Sequence, residues 1–83
     1  MKVAIITGAG SGIGLATAKH LYAMGMAIVG IGRSAEKLKV LEHDIADSSR
    51  VVTLAIDIAT DEAPQLIIQL ALERFGRIDF LIN

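Results

Sequence analysis

The sequence predicts an α/β fold of three layers, a parallel four-strand sheet between helices. Three observations carry that expectation. Four short runs, residues 3–7, 27–31, 51–56 and 78–82, are mostly apolar and β-branched, with little polar alternation. Such runs suit strands buried on both faces, as parallel strands are. The stretches between them are long enough for helices, and parallel neighbours need crossovers of that length. Glycines and small polar residues gather at the joints.

The first strand, residues 3–7, enters a tight turn at residues 8–12. From Ile13 the pattern is helical, with Ile13, Ala16, Leu21 and Met24 predicted on one inward face and Gly25 as the stop. The second strand ends in the loop Gly32-Arg33-Ser34. Ser34 is positioned to cap a second helix reaching about Asp47, with Leu38, Leu41 and Ile45 inward. Glu36, Lys37, Lys39 and Glu42 read as its wet face, and Ser48-Ser49 break it. After the third strand, Thr60 or Asp61 is expected to cap a third helix that ends near Gly76. Pro64 falls in its first turn, where a missing N–H costs little. Leu66, Ile67, Leu70, Leu72 and Phe75 are its expected apolar contacts.

Right-handed crossovers through a β-α-β-α-β-α-β order predict the spatial order 3-2-1-4. The first two helices then share one face of the sheet, and the third lies alone on the other. The apolar fourth strand, with Phe80, Leu81 and Ile82, forms an edge that invites pairing. It suggests a sheet that continues, with residues 1–83 as the N-terminal portion of a larger, here truncated, domain. A short edge under local cover is the alternative.

Bulk properties narrow the function. Eighty-three residues allow one small domain, burying roughly 60–65% of the surface exposed on unfolding. A composition 53% apolar and 20% charged argues against disorder. The net charge is −1 and the basic residues are scattered, so neither nucleic acid nor an anionic membrane is an expected partner. No apolar run approaches the about 20 residues of a membrane span, and the N-terminus does not read as a signal peptide. There is no cysteine, hence no disulfide and no thiolate metal site. Cytoplasm is the default compartment. His20 and His43, with Asp44 and Asp47, form no metal-ligand spacing, so no metal is expected.

Chemistry concentrates in TGAGSGIG, Thr7 to Gly14. Its glycines have the spacing GxxxGxG, which is neither GxGxxG nor a phosphate loop ending in GK[ST]. The physical demands resemble those of a dinucleotide turn. Gly8 permits a tight exit from the strand, Gly12 offers no Cβ to block a pyrophosphate, and Gly14 allows close helix–strand packing. The N–H groups of residues 11–14 then face an anion at the helix start. A plain glycine-rich turn is the alternative. In this setting the sheet is Rossmann-like, with its ligand edge at the carboxyl ends of the strands.

The glycine segment resembles the cofactor motif of the short-chain dehydrogenase/reductase family. GIGRSAEKL, LAIDIATDE and ERFGRIDFLIN resemble further landmarks of that family, in the same order. The resemblance covers nearly the whole sequence. It implies that Gly8, Gly12 and Gly14 are the three motif glycines, that Ser11 and Ile13 line the phosphate and ribose region, and that Thr7 steadies the turn. It implies that Asp57 accepts from the adenine amino group, that Ile58 flanks adenine, and that Asn83 holds structure near the cofactor. Asp57 as a simple post-strand turn residue stays open. The resemblance further implies hydride transfer between a nicotinamide cofactor and a carbonyl or alcohol. The family's catalytic Ser, Tyr and Lys lie beyond its fourth strand, so none is expected here. Tyr22 is no stand-in, because Met26 occupies the position four residues on.

An acid at the end of the second strand holds the ribose hydroxyls of NAD. Gly32 stands there, followed by Arg33, whose guanidinium suits a 2′-phosphate, and by Ser34, which adds a hydroxyl. NADP is favoured over NAD. Ser11 runs the other way, because many NADP-using relatives carry a basic residue at that point, and Arg33 as a solvated loop residue remains open. Alone, these 83 residues are expected to bind dinucleotide weakly and to turn nothing over. Two rivals stand beside this expectation: a non-catalytic module that self-associates or binds another chain, and a site for another adenine nucleotide or an adenosyl cofactor.

Overall fold

A computed structural model describes all 83 residues. Its elements are β1 (Val3–Thr7), α1 (Gly12–Ala23), β2 (Ala27–Gly32), α2 (Ala35–Ile45), β3 (Val51–Ala55), α3 (Ala63–Phe75) and β4 (Phe80–Ile82). The sheet is parallel throughout, in the expected order β3-β2-β1-β4. Val3 pairs with Ala27, Ile28 with Val51, and Ala4 with Phe80.

The two central strands send alternate side chains to opposite faces. Val3, Ile5, Ala27, Val29 and Ile31 meet Ala63, Ile67 and Ala71 of α3. Ala4, Ile6 and Ile28 meet Ala18 of α1 with Leu38 and Leu41 of α2. Both faces of β1 and β2 are therefore dry, which explains why their sequences lack alternation. Two helices cover one face and one covers the other, as the crossover rule requires.

Several boundaries and faces differ from expectation. Apolar residues lie all round α1, so its sequence does not select a face. Ala18, with half-buried Leu15, Leu21 and Tyr22, turns inward, whereas Ile13 is 87% exposed and Met24 also faces water. On α3, small Ala63 and Ala71 sit against the sheet beside Ile67, and Leu66 and Leu72 are exposed. The close approach needs the small residues, and this displaces the larger ones outward. Neither Thr60 nor Asp61 caps α3. Thr60 Oγ1 donates to the Asp57 carbonyl at 2.9 Å, and Glu62 occupies the cap position without a side-chain bond. Pro64 does fall in the first turn. Helix α2 stops at Ile45, because Ala46 turns left-handed at φ 54°. Strand β3 ends at Ala55, and β4 forms only from Phe80.

Polar contacts fasten the amino ends of the strands. Asp79 accepts from the Val3 N–H at 2.8 Å and from both arms of Arg77 at 2.8 and 2.6 Å. Arg50 donates to the Tyr22 and Met26 carbonyls, both at 2.8 Å, with its guanidinium 4.0 Å from the Tyr22 ring centroid. The Tyr22 hydroxyl donates to Asp47 at 2.6 Å. These two clasps hold the end of the sheet opposite the glycine turn.

Candidate functional site

All the expected site residues border the carboxyl edge of the sheet, but they fall on two sides of it. Thr7 ends β1, Gly32 ends β2, Asp57 follows β3 and Asn83 follows β4.

On the α2 side, Gly8, Ser11, Arg33 and Ser34 line one cleft of about 340 Å³, together with Gly10, Gly32, Lys37 and Leu38. The glycine turn forms one wall. Its Ala9 N–H is bonded to the Ile31 carbonyl at 3.0 Å, which pins the turn to the end of β2. Gly8 and Gly12 have φ of 64° and 57°, the left-handed region that favours glycine, and a Cβ on either would meet nothing within 4 Å. Gly14 has a different task. A Cβ there would collide with the Gly8 carbonyl, so its hydrogen lets α1 start directly against the turn.

The start of α1 has the character of an anion cradle. Gly12, Ile13 and Gly14 occupy the first turn, whose N–H groups find no partner within a helix. The Ser11 side chain makes no capping bond, and the first turn carries no acidic residue. Donors and the positive end of the helix dipole are thus left for an external group.

The opposite wall belongs to the start of α2. Ser34 Oγ accepts from the Lys37 N–H at 3.3 Å, as its predicted cap role requires, and its own proton remains available to a ligand. Arg33 and Lys37 are exposed and form no ion pair. No carboxylate lines the cleft. Lys37 and Gly10 are the residues that the sequence pattern did not single out. Lys37 lies among charged neighbours that look like a wet helix face, and only the packing of α2 against the turn brings it to the cleft.

On the α3 side, Thr7, Ile58 and Asn83 line a separate, smaller cavity of about 250 Å³ with Ile5, Pro64 and Leu81. Thr7 Oγ1 lies 3.3 Å from Asn83 Oδ1 and 3.5 Å from the Ile82 carbonyl. Its single proton therefore ties the ends of β1 and β4 together. Asp57 lines neither space. Its Oδ1 accepts from the Ala59 N–H at 2.9 Å, a local turn bond that leaves Oδ2 open.

The perturbed protonation equilibria lie elsewhere. Bonds from Ser49 and Tyr22 hold the Asp47 carboxyl below the usual range, and Asp47 in turn raises the Tyr22 phenol. Arg77 and the Val3 N–H lower Asp79, which raises Arg77. All four belong to the clasps at the amino ends of the strands. A depression of about 500 Å³ beside β3 gathers Glu42, Asp47 and Arg74. Arg74 is already engaged there with the Ser48 carbonyl at 2.9 Å, and no free helix start faces the depression.

A family model described as short chain dehydrogenase matches residues 2–83. The chain belongs to the short chain dehydrogenase family. A short-chain reductase protein of Streptomyces niveus, NovJ, is 39% identical over 83 residues, covering 99% of this chain and 32% of its own. A 1,6-dihydroxycyclohexa-2,4-diene-1-carboxylate dehydrogenase of Pseudomonas putida is 40% identical over 82 residues, with 99% and 30% covered. Among solved structures, glucose dehydrogenase of Caenorhabditis elegans superposes with a TM-score of 0.94 at 36% identity, covering 99% of this chain and 36% of that one. This short chain dehydrogenase sequence thus spans about a third of the length of the relatives it matches. Members of the family bind nicotinamide dinucleotides. No helix is long and apolar enough to cross a membrane.

Proposed function

We propose that this chain is the adenosine- and pyrophosphate-binding portion of an oxidoreductase that moves hydride between NADP(H) and a carbonyl or alcohol. The observation that carries the proposal is the cleft between the glycine turn and α2, where Arg33 and Lys37, neither in an ion pair, share a carboxylate-free lining with Ser11, the N-cap residue of α1. The pyrophosphate falls to the first turn of α1, at Ser11, Gly12, Ile13 and Gly14. The 2′-phosphate falls to Arg33 and Ser34. Adenine falls to Asp57 and Ile58, with Asn83 behind the cofactor through its bond to Thr7. Gly32 supports NADP over NAD, since a residue without a carboxylate neither holds the 2′-hydroxyl nor repels a 2′-phosphate. The nicotinamide supplies hydride chemistry when bound, and these residues bind and orient its far half.

The cytoplasm expected from the cysteine-free sequence remains part of the proposal. So does further pairing at β4, where Phe80 and Leu81 are exposed on a strand with an open edge. We assign residues 1–83 to one dinucleotide-binding unit on the same grounds.

Calorimetric titration with NADPH and NADH at low ionic strength tests the proposal, since an exposed guanidinium–phosphate contact is screened by salt. Saturable binding is expected to favour NADPH, with Arg33→Ala costing about 1–2 kcal/mol, the low end for a charge-assisted bond. A folded sample that binds neither nucleotide overturns it. If light scattering then shows association, the non-catalytic, self-associating module takes its place.

A further inference from the structure

Resting on the NADP(H) reading above, we propose that Lys37 is a second determinant of 2′-phosphate recognition, acting from the helix wall of the cleft opposite the glycine turn.

The backbone fixes where its side chain begins. A Cβ on Gly10 would lie 2.8 Å from Lys37 Cβ and 2.9 Å from the Lys37 carbonyl carbon. Gly10 therefore presses its bare backbone against the root of Lys37, and no larger residue allows that approach. The Lys37 N–H is held by Ser34 Oγ at 3.3 Å, and the next N–H, of Leu38, by the Ser34 carbonyl at 3.1 Å. Leu38 is buried among Ala4, Ile6, Ala9 and Ile28, which anchors this first turn to the sheet. The stem of Lys37 thus leaves a fixed point on the cleft wall, while its ammonium has no acidic partner.

Charge explains what that arrangement recognises. Two cations, Arg33 and Lys37, line the same cleft as Ser34, and no carboxylate is among its lining residues. A phosphate monoester carries close to two negative charges at neutral pH. Arg33 offers a planar fork to two phosphate oxygens, and Lys37 a mobile point charge to the third. A neutral ribose hydroxyl gains little from either. Lys37 therefore discriminates between phosphorylated and free 2′ positions rather than holding the nucleotide as a whole.

The test compares the wild-type chain with Lys37→Gln, Lys37→Arg and Arg33→Ala. Each is titrated by calorimetry with NADPH, NADH, adenosine 2′,5′-bisphosphate and AMP, with folding checked by circular dichroism. Lys37→Gln is expected to weaken both 2′-phosphorylated ligands roughly 5- to 20-fold, a charge-assisted contact discounted for exposure. NADH and AMP are expected to stay within about twofold, and Lys37→Arg to keep most of the preference, since its charge remains. Equal weakening of all four ligands assigns Lys37 a purely structural part and overturns the proposal. An unchanged preference for NADPH in Lys37→Gln, with that preference lost in Arg33→Ala, overturns the role of Lys37 and leaves the cofactor reading standing. A wild-type chain with no preference for the 2′-phosphorylated ligands overturns both.

Discussion

Gly14 and Gly12 lie two residues apart, yet substitution by alanine acts on them through different physics. At Gly14 the new methyl group collides with the Gly8 carbonyl, which is backbone and cannot rotate away. Either α1 or the turn must shift, and the turn is pinned by the Ala9–Ile31 hydrogen bond. Overpacking of this kind costs about 3 kcal/mol. A domain of 83 residues holds about 4–12 kcal/mol in all, so Gly14→Ala removes a quarter or more of its stability. At Gly12 the methyl group meets open space, but φ is 57°. Left-handed backbone costs a non-glycine residue about 1–2 kcal/mol. The stiffer unfolded chain returns about 0.4–1 kcal/mol. The net loss for Gly12→Ala is therefore about 0–1.6 kcal/mol. Urea unfolding followed by circular dichroism measures both variants. A Gly14→Ala chain within about 0.5 kcal/mol of wild type, the range of ordinary surface changes, refutes the close-approach reasoning. So does a Gly12→Ala chain that loses as much as Gly14→Ala.

Three further outcomes follow from named contacts. Because the carboxyl pKa of Asp79 is lowered on folding, its contribution is full above the unfolded value near 3.9 and is lost as pH falls through the lower folded value. Stability should decline below about pH 4, less steeply in Asp79→Asn, and an identical acid slope in the two chains counts against the Asp79 clasp. The raised Tyr22 phenol stabilises the fold below its unfolded pKa near 10 and ceases to do so as pH rises through the folded value, so ultraviolet titration should show ionisation above about 10, returning toward it in Asp47→Ala. Gly32→Asp places a carboxylate in the cleft at the expense of a 3.3 Å contact with the flexible Leu38 side chain, and it should cut NADPH affinity about tenfold while sparing or improving NADH. An undiminished NADPH preference in that variant argues that the 2′-phosphate lies elsewhere.

The strands were legible because burial on both faces leaves one kind of signal, a continuous apolar run, and the crossover rule then fixed the order β3-β2-β1-β4. The glycine turn was legible because its left-handed residues and its close helix approach each demand glycine. Helix faces were harder to read. In α1 the residues Ile13 and Met24 are as apolar as Leu15 and Leu21, so hydrophobicity alone does not distinguish the pair that turns inward. In α3, alanine rather than leucine marks the buried face, against the usual weight of hydrophobicity. The α3 cap was obscured because Thr60 has a nearer acceptor in the Asp57 carbonyl. Lys37 was hidden for a related reason. Its neighbours Glu36 and Lys39 make a charged surface pattern, and its place in the cleft depends on a contact with Gly10, 27 positions earlier in the chain. A glycine inside the turn that is not one of the three spaced motif positions was the available signal, and it pointed to close packing rather than to a ligand.

The most direct test of the account is to map NADPH binding onto backbone amide resonances during a titration. Shifts are expected at Gly8 to Gly14, at Arg33 to Leu38 and at Asp57 to Ala59, all on the carboxyl edge of the sheet. The residues around Asp47, Ser48 and Arg74 should stay unmoved. Shifts centred on that second group, or none at saturating nucleotide in a folded chain, contradict the assignment of the cleft as a dinucleotide site.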